Sequence, residues 1–179
     1  MSKNKKLMVC TPVHSSVSVF YTKACLDLQK NFISDGIEIE FQQIRSSLVT
    51  EGRNLCVAAF LNSDCSHMLF VDSDIEFSVK SVIRLFNSNY EISLIPYPKK
   101  LVSDEKFKKD IIARPNHNIR TLGLQYSISI VNPKDINPKD GFIQISKGPA
   151  GMMMIQRSAF QKLIDKKPEL KIDQETLIN

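Results

Sequence analysis

Apolar residues recur along this chain with two different periods, and the alternation between them lays out an α/β protein. Lys6 to Cys10 is a short apolar run that reads as a strand, and Thr11 to Ser16 follows as a loop. Val17, Phe20, Ala24, Leu28 and Phe32 then fall three to four residues apart, which is the spacing of one helix face, and Asp35-Gly36 ends it. Ile37, Ile39 and Phe41 alternate with Glu38, Glu40 and Gln42, predicting a strand with one polar face near a sheet edge. After the polar loop Arg45 to Glu51, Gly52-Arg53-Asn54 introduces a helix carrying Leu55, Val57, Ala58, Ala59 and Leu61. Met68 to Val71 is apolar without alternation, as in a strand buried on both faces. Ser78 stands as an N-cap before Val79, Val82, Ile83 and Phe86, and Glu91 to Ile95 predicts another buried strand closed by Pro96-Tyr97-Pro98.

The order β-α-β-α-β-α-β argues for a mostly parallel sheet with helices on both faces. The later chain is less regular. Lys99 to Pro115 is charged and reads as a short helix or a loop. Tyr126 to Val131 alternates as a strand, 132–141 is rich in turn residues, and Phe142, Ile143 and Ile145 make a strand. Gly148-Pro149-Ala150-Gly151 leads into the buried strand Met152 to Ile155. Ser158 is placed to cap a last helix with Phe160, Leu163 and Ile164, and the tail from Lys166 is polar. One domain over 1–179 is expected, with halves 1–98 and 99–165 and a polar tail 166–179.

Composition narrows the class. At 42% hydrophobic and 24% charged residues, the chain is ordinary for a globular protein. No apolar stretch approaches a transmembrane span, and the first apolar run stops at Cys10, too short for a signal peptide. A cytoplasmic protein is therefore expected. Cys10, Cys25, Cys56 and Cys65 lack CxxC spacing and read as small buried hydrophobes rather than disulfides or zinc ligands. The net charge of +5 comes without a basic stripe interleaved with aromatics, which argues against nucleic acid as a partner. It supports no more than a mild attraction for a diphosphate or an anionic membrane surface.

The candidate chemistry sits where the apolar run His67 to Val71 ends in Asp72-Ser73-Asp74. The carboxyl end of such a strand lies at a sheet edge, where open α/β folds place ligands. Two carboxylates this close repel each other, and hard oxygen donors suit Mg²⁺ or Mn²⁺. The plain alternative is an aspartate capping the next helix. A calcium loop does not fit, because Phe77 stands where a glycine is needed. A haloacid-dehalogenase-type phosphatase also places Asp-x-Asp after an apolar strand. Here, though, Ile75-Glu76 follows the pair and several elements precede it.

Taken in register, several segments resemble those of a small GT-A glycosyltransferase of the viral and Anp1-like kind, over residues 6 to 165. They are Thr11-Pro12 after the first strand, Gly52-Arg53-Asn54, the Asp72-Ser73-Asp74 strand end, Ile95-Pro96-Tyr97-Pro98-Lys99-Lys100 and Gly148-Pro149-Ala150-Gly151-Met152-Met153-Met154-Ile155-Gln156-Arg157. The resemblance implies a Rossmann-like α/β fold with a smaller mixed or antiparallel C-terminal part. It implies transfer of a sugar from a nucleoside-diphosphate donor to a glycan, protein or lipid acceptor, with Mn²⁺ or Mg²⁺. Asp74 would bind the metal. Asp72 would hold the ribose or the metal's water shell. Thr11, Pro12 and His14 would border base and ribose, and Arg53 would reach the phosphates. Lys99 would approach the sugar or phosphate. Gly148 and Gly151 would admit the sugar to the backbone. Each has a structural alternative: Arg53 pairing with Glu51, His14 as a hydrogen-bonded loop residue, Lys99 solvated, Gly151 marking a strand bend. Beyond Arg157 only Asp165, Glu169, Asp173 and Glu175 remain as acids, and no histidine follows, so no catalytic base is named. A non-catalytic nucleotide-sugar-binding or scaffold protein is the second reading.

Overall fold

The structure, a computed structural model, describes residues 5–134 and 136–170. In chain order its elements are β1 (Lys6–Val13), α1 (Val19–Ser34), β2 (Glu38–Arg45), α2 (Val49–Leu61), β3 (His67–Val71), α3 (Val79–Phe86) and β4 (Ile92–Leu94). There follow β5 (Pro98–Val102), α4 (Asp104–Ala113), β6 (Leu124–Tyr126), β7 (Ser129–Ile130), β8 (Ile145–Lys147), β9 (Met152–Gln156) and α5 (Arg157–Lys166). They divide into two compact units, Pro96–Pro149 forming one and the described residues on either side of it the other.

The larger unit is an α/β layer structure around a five-stranded sheet of order β2-β1-β3-β9-β4. β1 pairs in parallel with β2 and β3, while β9 runs antiparallel to both β3 and β4. β4 thus points the same way as β1, β2 and β3, and the sheet is mostly parallel, as the β-α order predicts. Helices cover both faces. Met8, Cys10, Met68 and Phe70 pack against Cys56 and Phe60 of α2, with Phe160 of α5 beside them. The opposite face meets α1 and α3, where Phe32 and Phe86 stack edge to face and Phe86 packs on His67. All five residues of β3 are buried, so both faces of the strand are covered, as its unbroken apolar run implies. The four cysteines are free thiols in this core.

Several sequence expectations are corrected. α1 starts at Val19, with the Ser18 hydroxyl accepting from the Phe20 amide at 3.2 Å. Its core face carries Tyr21 and Cys25, whereas Phe20 is exposed. Tyr21 can be buried because its hydroxyl finds Thr11 at 2.6 Å. β1 continues through Thr11-Pro12-Val13 rather than yielding to a loop at Thr11. α2 begins three residues before Gly52. β4 is a three-residue edge strand, and Ile92 is exposed rather than buried. The run 126–131 splits: β6 pairs with β5 and β7 with β8, in separate two-stranded sheets. α5 starts at Arg157, and the Ser158 hydroxyl, instead of capping it, binds the Glu91 carboxylate at 2.7 Å. The far tail, 171–179, lies outside the described residues.

In the smaller unit Ser103 caps α4, with Asp104 and Glu105 in its first turn. Gly123 turns the chain back toward β6 with φ +71°, a conformation that suits glycine. Its amide donates to the Asp110 carboxylate at 3.0 Å, tying the turn to α4.

Candidate functional site

Because β1, β2 and β3 are parallel, their carboxyl ends share one edge of the sheet, and the site forms there. β3 hands over to Asp72, whose amide donates to the Gly151 carbonyl at 2.9 Å. The Ile75 amide returns to the Asp72 carbonyl at 3.1 Å, and the Ser73 carbonyl accepts from the Ser18 amide at 2.8 Å. The acidic turn is thereby fastened to the entry of β9 on one side and to the start of α1 on the other. At the neighbouring strand ends, the Ser46 amide donates to the Val13 carbonyl at 3.0 Å. Gly52, in the first turn of α2, lies so close that a Cβ there would stand 3.1 Å from Pro12 Cβ and 3.3 Å from Ser46 Cβ. The missing side chain is what lets α2 press its amino end against β1 and β2.

A cleft of about 500 Å³ opens here, walled by Pro12 to His14 at the end of β1, Ser46 to Val49 after β2, and Asp72 to Asp74. Leu48 and Val49 are 63% and 56% exposed, so they give one wall an apolar surface. Arg53, on the next turn of α2, donates from Nη2 to Asp72 Oδ1 at 2.9 Å. Its guanidinium lies 5.8 Å from the Phe70 ring, and its Nε is buried with no hydrogen-bond partner among the described residues. The expected surface alternative, a pair with Glu51, does not form. Glu51 accepts instead from the Ser46 hydroxyl at 2.5 Å.

Four of the sequence candidates therefore meet in one cleft: Pro12, His14, Asp72 and Asp74. Arg53 joins them through Asp72, and Gly151 through its carbonyl. Thr11 is fully buried below the cleft, its hydroxyl engaged by Tyr21. Lys99 and Gly148 belong to the unit Pro96–Pro149 and are exposed. Sequence reasoning passed over Ser46, Ser47, Leu48 and Val49. The available signal was Leu48-Val49, an apolar pair inside an otherwise polar loop.

Two other groups have structural work. Arg157 donates to the carbonyls of Phe60, Leu61, Ser63 and Cys65 at 2.6 to 3.3 Å and lies 4.3 Å from the Phe60 ring. It closes the carboxyl end of α2, where unpaired carbonyls favour a cation. Glu40, Asp64 and Cys65 lie close enough together to hold a metal ion. Lys6 fills that position, its ammonium 2.7 Å from Glu40 and from Asp64, and the ion pairs push its pKa up. That cluster is an ion-pair network.

No known family's sequence profile matches the chain, and no curated protein matches it. Among solved structures, A197 from STIV overlaps it with a TM-score of 0.48 at 19% identity, covering 88% of this chain and 68% of that one. The 4-diphosphocytidyl-2C-methyl-D-erythritol synthase of Anaerococcus prevotii gives a TM-score of 0.46 at 10% identity, covering 98% and 83%. A glycosyltransferase involved in glycosylation of the major capsid of PBCV-1 gives 0.35 at 10% identity, covering 95% and 71%. None of these overlaps reaches a TM-score of 0.5, so none carries an inference about chemistry.

Proposed function

We propose that this chain is a metal-dependent glycosyltransferase that binds a nucleoside-diphosphate sugar at the end of β3 and passes the sugar to a glycan, protein or lipid acceptor. One observation carries the reading: the paired carboxylates Asp72 and Asp74 end a fully buried strand and border an open cleft, with a guanidinium bonded to the first. Their oxygen donors fit a hard dication such as Mn²⁺ or Mg²⁺. Asp74 is the carboxylate assigned to the metal, and Asp72 the one that holds Arg53. A bound dication would offset the charge that develops on the leaving diphosphate.

The chain's own residues supply the rest. Asp72 fixes the Arg53 guanidinium beside the cleft, where its exposed N–H groups can serve a phosphate oxygen. Pro12, His14, Leu48 and Val49 offer flat and apolar surface to a base and ribose. Thr11 supports this wall from beneath through Tyr21. Gly151 anchors the acidic turn. Among the described residues, the carboxylates lining the cleft are Asp72 and Asp74. The proton of the acceptor hydroxyl therefore falls to the departing phosphate or to a group outside this cleft.

A thermal-shift screen of UDP, GDP and CDP sugars, each with and without Mn²⁺, tests the reading, because a ligand bound to the folded state raises its melting temperature. One donor class is expected to stabilise the chain only when Mn²⁺ is present. Stabilisation by none, or stabilisation indifferent to the metal, contradicts the assignment. That Asp72 and Asp74 are the carboxylates lining the cleft among the described residues favours a second reading, donor binding without turnover. Release of nucleoside diphosphate over time separates the two.

A further inference from the structure

Two lines on the flank of the larger unit lack a covering. On α1, Tyr21, Ala24, Cys25, Leu28 and Phe32 turn to the core. Val19, Leu26 and Ile33 do not: they follow one another at seven-residue steps, in one row along the helix, and are 75%, 61% and 62% exposed. The second line is the outer edge of β2. This strand ends the sheet, with no strand beyond it among the described residues. It pairs with β1 over eight residues in unbroken register and contains no proline. Its outward N–H and C=O groups therefore form a long, regular edge of the kind another strand completes. β4, at the other end of the sheet, is only three residues long.

The two lines belong to one face. Ile33 lines a hollow of about 380 Å³ together with Ile37, Glu38 and Ile39, so the α1 row runs along the β2 edge. The odd-numbered residues of β2 share α1's side of the sheet, because Gln43 stands opposite Thr11, whose hydroxyl meets Tyr21. Ile39 and Phe41 therefore border the row, and both are only half-buried. The even-numbered residues face the other way, where Lys6 engages Glu38 and Glu40. Seven residues back along α1 from Ile33, or three residues on along β2 from Glu38, each cover about 10 Å. Leu26 and Phe41 thus stand at the same level.

We propose that a second copy of the chain docks on this face about a two-fold axis passing beside Leu26 and Phe41, joining the two sheets edge to edge. Such an axis, perpendicular to the sheet, makes the two strands antiparallel and sets one residue opposite its own copy. With Phe41 in that place, Glu40 meets the partner's Gln42 and Glu38 the partner's Ile44. Arg45 meets the partner's Ile37, within a long side chain's reach of the partner's Asp35, so opposite charges approach at both ends of the pair. A register centred on Glu40 would set two carboxylates against each other. On α1 the same axis lays Leu26 against its copy and Val19 against the partner's Ile33. An isolated peptide strand could complete the β2 edge, but it would leave the α1 row bare; a second copy covers both at once. The face is about 25 Å long and two layers deep, which suffices for roughly 1,000 Å² of buried surface, the lower bound of a specific interface. The inference is independent of the chemistry assigned to the end of β3.

Sedimentation velocity of the full chain, joined to cysteine cross-linking, tests it. The wild type is expected to sediment as a dimer. Leu26→Glu brings two carboxylates together on the axis and should raise the dissociation constant roughly a hundredfold, with an unchanged circular dichroism spectrum showing that the fold is intact. Leu26→Cys and Phe41→Cys, each facing its own copy, should form disulfide-linked dimers under mild oxidation. Ile33→Cys should not, because the axis carries the two copies of residue 33 about 20 Å apart. Three results would overturn the proposal: a wild-type chain that stays monomeric up to ~100 μM, a dimer that Leu26→Glu leaves intact, or Ile33→Cys cross-linking as readily as Leu26→Cys.

Discussion

Replacing His67 with phenylalanine should remove an acid sensitivity built into the core. His67 is 5% exposed, 4.7 Å from the Phe86 ring, with Nδ1 2.8 Å from the Ser66 hydroxyl. Its Nε2 is buried without a partner among the described residues. Burial, aided by the Lys5 charge, lowers its pKa from 6.5 to about 4. The folded pKa lies below the unfolded one, so the unfolded chain binds the proton more tightly. The contribution to stability is complete above pH 6.5 and is lost as the pH falls toward 4. At about 1.4 kcal/mol per unit it amounts to about 3 kcal/mol, of which about 2 kcal/mol disappears between pH 7 and pH 4.5. In His67→Phe the ring still packs on Phe86. Ser66 keeps partners as well, since its hydroxyl also bonds the Lys6 amide and carbonyl. Urea unfolding of both proteins at the two pH values gives the comparison. The wild type should lose about 2 kcal/mol more than the variant on acidification. Parallel losses in the two proteins would refute the reasoning, showing that His67 takes up its proton without unfolding the core.

Arg53→Lys keeps a cation beside Asp72 but loses the fork. Stability should change by less than about 1 kcal/mol, because the pair is partly solvated, while calorimetry should show nucleoside-diphosphate affinity falling roughly tenfold. Arg157→Lys should cost about 2 kcal/mol in urea unfolding, since one ammonium cannot serve the carbonyls the guanidinium spans; an unchanged midpoint would show that the α2 clamp is dispensable. Gly123→Ala combines a positive φ with a Cβ that would lie 2.8 Å from Val102 and 2.9 Å from Phe107. It should cost about 3 kcal/mol and strip amide protection in hydrogen exchange from α4 and β6.

Sequence pattern revealed what depends on neighbours along the chain and missed what depends on neighbours in space. β3 was legible because a strand covered on both faces shows no alternation. The acid pair was legible because a sheet edge follows from where an apolar run stops. α1 was legible as a helix but not in its register. Phe20 and Tyr21 are adjacent aromatics, and the choice between them is made by Thr11, a partner on another element. The split of 126–131 was invisible because alternation does not reveal which strand a residue pairs with. Arg53 and Asp72 are nineteen residues apart, so their bond could not be read from either motif. Arg157 ends the glycine-rich resemblance, yet its side chain serves the end of α2, a role set by the packing of β9 beside β3.

On the proposed reading, Asp74 at the end of β3 holds a dication which in turn grips a pyrophosphate. Anomalous diffraction at the manganese edge, from crystals soaked with Mn²⁺ and UDP or GDP, tests this directly. A manganese peak bonded to Asp74 and to diphosphate oxygens, and lost in Asp74→Ala, is the expected result. Nucleotide bound in the cleft with no manganese peak beside Asp74, or manganese found instead at Glu40 and Asp64, would contradict it.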